Sequence, residues 1–131
     1  FRSRPPLNSL YKSFSSFQKA SKQVQELSQD AAVAHYNLGV MYMKQAAYSE
    51  AANEFEYALT LNPSSPSTHY NLAVIYETYL KYPDRAIRHY EAYVRLLPQA
   101  RDAKDVEYRL YRLRMNREKG VGKDLSRNSL D

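Results

Sequence analysis

Apolar residues recur at helical spacing along most of the chain. From Leu7, the positions Leu10, Phe14, Phe17, Val24 and Leu27 follow at steps of 3, 4, 3, 7 and 3. That spacing puts them on one stripe of a helix over about Leu7–Ser28, capped at its start by Asn8 or Ser9. Lys12, Ser15, Ser16, Lys19, Lys22 and Gln23 fill its other face, so the apolar stripe has to be buried against something. Further helices are predicted over about Ala31–Gln45, Tyr48–Leu61, Ser67–Leu80, Arg85–Leu97 and Asp102–Lys119. The breaks fall where prolines interrupt the pattern, at Asn62-Pro63-Ser64-Ser65-Pro66, at Tyr82-Pro83-Asp84 and at Pro98. Ser65 or Ser67 is placed to cap the helix after the second break. In the last helix Ala103, Val106, Leu110 and Leu113 share one stripe, and Gly120 is a natural stop. Phe1–Pro6 reads as a loose lead-in, and the polar residues 120–131 are predicted to be a disordered tail.

Within this pattern one stretch occurs twice. His35-Tyr36-Asn37-Leu38-Gly39-Val40-Met41-Tyr42 returns as His69-Tyr70-Asn71-Leu72-Ala73-Val74-Ile75-Tyr76, shifted by 34 residues and identical at six of eight positions. A fixed period of about 34 residues marks an array of helix–turn–helix units. Ala51, Phe55 and Pro63 follow the first copy; Ala86, Tyr90 and Pro98 follow the second, with one extra residue assigned to the turn Lys81-Tyr82-Pro83-Asp84. The pattern Leu-Gly-x-x-Tyr, then Ala-x-x-x-Phe, then Pro resembles the tetratricopeptide repeat. His35 and His69 stand where that family often has Trp, and Tyr93 stands where it usually has a small residue, as at Ala58. The predicted architecture is therefore all-α: a right-handed superhelical array of helical hairpins with capping helices at both ends. It divides into a lead-in and amphipathic helix (1–30), repeat one (31–65), repeat two (66–100), a C-terminal capping helix (101–119) and the tail (120–131).

The resemblance also assigns faces. His35, Leu38 and Tyr42 are expected to pack on Ala51, Phe55 and Ala58, with Gly39 and Ala73 small so that helices approach closely. The opposite side of the first helices would line a concave groove, the usual binding surface of such arrays. In repeat one this side holds Val33, Tyr36, Asn37, Val40, Met43 and Lys44. In repeat two it holds Tyr70, Asn71, Val74 and Thr78, with Ser67 and Glu77 beside them. Both Tyr36 and Tyr70 are expected to expose their rings to one continuous groove. One branch of the family clamps a C-terminal carboxylate here with Lys, Asn and Arg. Tyr36 and Val40 replace two of those contacts, so a more apolar peptide or helix is the expected ligand.

Charge and chemistry refine the picture. The net charge is +5, with residues 1–31 and 101–131 basic and residues 32–100 nearly neutral. Arg109, Arg112, Arg114 and Arg117, beside Tyr108 and Tyr111, are a pattern that can bind nucleic acid or an anionic surface. Interspersed Asp102, Asp105, Glu107 and Glu118 favour a solvated capping helix instead, and nucleic acid is not the expected partner. Zero Cys excludes disulfides, thiolate metal sites and a Cys nucleophile. His35 and His69 are read as packing residues and His89 as solvent-facing; Glu50, Glu54, Glu56 and Glu91 are read as exposed. No phosphate loop or nucleophile elbow is present, so no catalytic, cofactor or metal residues are assigned and no enzyme is expected.

No stretch approaches the length of a membrane span. The chain opens at Phe1, which allows for a signal peptide removed upstream, so the compartment is left open between cytoplasm and periplasm or envelope. The function expected is protein–protein interaction, as an adaptor or assembly scaffold, with self-association through the N-terminal helix as a further possibility. Arrays need about three units, so the helix at 7–28 is expected to cap repeat one, anchored by Phe14 and Phe17.

Overall fold

In the computed structural model, which describes residues 6–130 and the side chains as far as Gly120, the chain forms five helices. They are α1 (Leu7–Lys44), α2 (Tyr48–Leu61), α3 (Pro66–Val74, continued by a π-helical turn Ile75–Tyr79), α4 (Pro83–Leu96) and α5 (Ala103–Leu130). The lead-in over residues 1–5 and Asp131 lie outside the described residues. α1 pairs with α2 and α3 pairs with α4, giving two hairpins in sequence, and α5 packs on α4.

The helix starts follow local chemistry. Ser65 caps α3: its Oγ accepts from the Thr68 backbone N–H at 3.4 Å, and Pro66 occupies the first turn, where its missing N–H costs nothing. Pro83 does the same for α4. Both hairpins turn through a left-handed residue at the equivalent place, Ala46 (φ 59) and Lys81 (φ 60).

Those two residues are 35 apart, whereas Tyr42 and Tyr76 are 34 apart. The extra residue of repeat two therefore falls before Lys81 and not in the turn that follows it. It is taken up by the π-helical turn, where Leu80 N–H bonds to the Ile75 carbonyl at 2.9 Å. One inserted residue widening a helical turn is how such bulges arise.

A single core runs from α2 to α5. Ala51, Phe55, Leu72, Ala73, Ile75, Ala86 and Tyr90 are wholly buried, joined by Val106 and Leu110 from α5. α1 and α2 approach closely at Gly39. A Cβ there would lie 2.6 Å from Phe55 Cε1, and the buried ring has little room to move. Gly39→Ala gains roughly 1 kcal/mol of helix propensity, but crowding a packed core costs roughly 1–3 kcal/mol. A net loss on the order of 1 kcal/mol is expected in urea melts; a gain of the full propensity term would show that the ring yields.

Three expectations are corrected here. First, the predicted helices 7–28 and 31–45 are one unbroken helix of 38 residues. The join Val24–Ala31 contains cap formers such as Ser28 and Asp30 but no Gly or Pro to break it. Second, α1 consequently cannot fold back to cap its own repeat. Among the described residues Phe14 and Phe17 anchor nothing, and they are 59% and 69% exposed. Third, α5 continues past Gly120 to Leu130, since no proline follows to end it.

The duplicated stretch also loses its symmetry. Leu72 is wholly buried between the hairpins, whereas Leu38, at the outer end of the array, is 40% exposed.

Candidate binding groove

The residues assigned to the groove lie on α1 and α3, held by the α1–α2 and α3–α4 pairings. Val33, Asn37, Lys44 and Thr78 are exposed; Tyr36, Val40, Met43, Tyr70, Asn71 and Val74 are half-buried. The two tyrosines do not project freely as expected. Tyr36 leans on Phe55 with ring centroids 5.5 Å apart, and Tyr70 meets Tyr90 at 6.2 Å and Tyr93 at 5.3 Å. Each ring thus packs inside its own hairpin, because Phe55 and the Tyr90–Tyr93 face are large enough to meet it.

Tyr36 also ties the repeats together. Asn71 Nδ2–H donates to the Tyr36 hydroxyl at 3.3 Å, spanning the two first helices. Beside it a cleft of about 190 Å³ opens between Ala32, Val33, Tyr36, Ala58, Asn62, Ser65, Ser67 and Thr68. This is below the several hundred Å³ of a typical small-molecule site, and closer to the space one apolar side chain needs. Val33, 58% exposed, is the one large apolar residue at its mouth.

At the other end of the groove lies a polar network not foreseen from the sequence. Tyr90 donates to Glu77 Oε1 at 2.8 Å, while Arg109 Nη1 of α5 reaches both Glu77 (3.3 Å) and the Tyr90 hydroxyl (3.2 Å). Burial, with Glu77 as acceptor, pushes the Tyr90 phenol well above its ordinary value. The Tyr93 phenol donates to Asp102 at 2.7 Å and is raised to about 12 by that bond. These tyrosines are neutral donors that fasten α5 to hairpin two. The only hint in the sequence was that Glu77 and Arg109 carry opposite charges, with nothing to bring them together.

On the α2–α3–α4 side, His89 is not solvent-facing as expected. Its side chain is 15% exposed; its Nε2 lies 3.3 Å from Glu56 Oε1 and its Nδ1 lies 3.0 Å from His69 Nδ1. His69 Nε2–H donates to the Pro63 carbonyl at 2.8 Å, which leaves His69 Nδ1 to accept from His89. Tyr76 also donates to Glu56, at 2.9 Å. His35 keeps a packing role, 4.3 Å from the Tyr57 ring, and is bonded to Glu54 at 2.7 Å. Among the described residues no group of three or more His, Cys, Asp or Glu is arranged to hold a metal ion.

The His69 cluster sets a pH dependence. Burial, above all, lowers the His69 pKa from 6.5, so folding favours the neutral ring. That contribution is complete above pH 6.5 and is lost as pH falls through the lowered folded value. The bond from His89 lowers Glu56 below 4.5, so a second loss follows below that pH. Thermal melts are expected to move down on acidification from about pH 7.5 to about pH 5.5, and His69→Phe to flatten the slope. A slope unchanged in that variant would assign the effect elsewhere.

A family model described as a TPR repeat matches residues 41–78, from the end of α1 through α2 into the turn after α3. No curated protein matches the chain. Among the described residues no helix is long and apolar enough to cross a membrane. Repeats of this family generally mediate protein–protein interaction, and the family is typically a non-enzymatic binding scaffold. Two hairpins built on a duplicated stretch, and a family match that spans the junction between them, show that residues 41–78 are similar to the tetratricopeptide repeat.

Proposed function

We propose that the chain is an adaptor or assembly scaffold that takes an apolar peptide or helix of a protein partner along the first-helix face. The ligand would lie over Val33, Tyr36, Asn37, Val40, Met43 and Lys44 of α1 and over Tyr70, Asn71, Val74 and Thr78 of α3. The observation that carries this reading is the small cleft beside Val33, between α1 and the start of α3. An anchoring side chain seated there would cover the exposed Val33 and gain the Asn62 and Ser65–Thr68 polar rim.

The competing use of α5 as a nucleic-acid surface is less well supported. Arg109, Arg114 and Arg117 face Glu77 at 3.3 Å, Glu91 at 3.2 Å and Asp84 at 3.3 Å, so their charge is already answered within the fold.

The test is peptide-display selection on the chain, followed by affinity measurement on Val33→Asp. Because Tyr36 packs on Phe55, its truncation would disturb the fold, so exposed Val33 is the cleaner site. Selected peptides are expected to carry an apolar anchor and to lose about tenfold or more in affinity on Val33→Asp, with an unchanged melt. Their affinity should barely change with salt, unlike phosphate contact. Peptides that bind the variant equally well would remove the groove from consideration.

A further inference from the structure

The apolar stripe of α1 runs on the side roughly opposite Val33 and Val40, and it is longer than the N-terminal pattern alone suggests. Beyond Val24 and Leu27 it continues through Ala31, Ala34, Leu38 and Met41, at alternating steps of 3 and 4. Such steps make a coiled-coil seam. Among the described residues nothing covers it: Leu7 is 83% exposed, Val24 62% and Met41 56%. As α1 is one unbroken helix, its first half projects away from repeat one and cannot cover the second half.

The seam is palindromic about Val24. Positions 17, 14, 10 and 7 residues to either side pair Leu7 with Met41, Leu10 with Leu38, Phe14 with Ala34 and Phe17 with Ala31, while the pair three residues out sets Leu27 against Ser21, the polar position of the seam. Large therefore meets small where the aromatics fall, and leucine meets leucine. Charge follows the same division. Residues 7–23 carry Lys12, Lys19 and Lys22 with no acid, while residues 24–61 carry Glu26, Asp30, Glu50, Glu54 and Glu56 against Lys44, with Glu54 already met by His35 at 2.7 Å and Glu56 by His89 at 3.3 Å.

We infer that α1 pairs with α1 of a second copy of this chain, antiparallel, about a two-fold axis at Val24. Each basic N-terminal half then lies along the other copy's acidic first hairpin and covers its open end at Leu38 and Met41. The cap that α1 cannot give its own repeat is supplied in trans. An in-register parallel pair would instead set lysine beside lysine and crowd the phenylalanines together. The exposed apolar surface of the seam is on the order of 900 Å² per chain, so pairing buries about the area of a standard stable interface. This interface is independent of the peptide groove.

Sedimentation of the 131-residue chain over a wide concentration range is expected to give a dimer. Val24→Asp, at an exposed position, should weaken it by roughly a hundredfold or more by setting two carboxylates at the axis, while circular dichroism stays helical. The chain has no cysteine, so introduced thiols report orientation cleanly. A short thiol cross-linker should join copies carrying both Leu10→Cys and Leu38→Cys. It should not join copies carrying either change alone, since like positions lie about 40 Å apart in the antiparallel pair. A monomer at every concentration overturns the inference, as does a dimer indifferent to Val24→Asp. Cross-linking through Leu10→Cys alone would show a parallel pair and overturn it too.

Discussion

Leu72→Ala is expected to cost about 2–5 kcal/mol of folding free energy, the range for emptying a buried leucine site. The same change at Leu38 should cost less than about 1.5 kcal/mol, because a side chain already partly in water has less transfer energy to lose. The two residues hold the same place in the duplicated stretch, so any account resting on the repeat alone gives them the same effect. Their surroundings differ. Leu72 is wholly enclosed where hairpin two meets hairpin one, while Leu38 faces outward from the end of the array at 40% exposure. Urea midpoints read at low protein concentration, where α1 pairing is absent, would decide the matter. Equal losses would mean that Leu38 is covered within the single chain.

That contrast shows what kind of information the sequence carried. Spacing of apolar positions placed α2, α3 and α4 to within a few residues, because prolines at 63, 66, 83 and 98 mark their ends in purely local terms. From the duplicated octet the small residues came out as predicted, with Gly39 against Phe55 and Ala73 in the core, but the facing of its large residues did not: Tyr36, expected on the opposite side, meets Phe55, and Leu38, expected against α2, is 40% exposed. What spacing could not state is which neighbour occupies the space beyond a face. The stripe at Leu7–Leu27 needs burial, but the absence of a breaker between Val24 and Ala31 decides where it can go. Tyr36 and Tyr70 share one step of the repeat, and whether a ring points out or leans on Phe55, Tyr90 and Tyr93 depends on side-chain bulk across the hairpin. His89 is half-buried, not solvent-facing, for a related reason. Its partners Glu56 and His69 come from two other helices, at separations no local pattern reports.

The closed end of the array supplies the second large effect. Val106 is 1% exposed and packs with Leu110 into the core that α4 shares with α3. Val106→Asp would place a carboxylate in that apolar core, and a loss of about 3–5 kcal/mol is expected. Because repeat arrays transmit stability mainly between neighbours, the loss should not be uniform. Detaching α5 removes the acceptor of Tyr93 at Asp102 and the Arg109 bridge to Glu77 and Tyr90, so hairpin two is affected first. Hydrogen exchange should quicken in α4 and α3 before α2, in keeping with local opening of the weakened unit. Leu10→Asp is the matched control: a carboxylate introduced on an apolar stripe, but at a position 52% exposed, on the part of α1 that projects beyond repeat one. At concentrations where the chain is monomeric it should leave the urea midpoint unchanged. If Val106→Asp shifts the midpoint no further than Leu10→Asp does, α5 is an appendage and not the cap of the array.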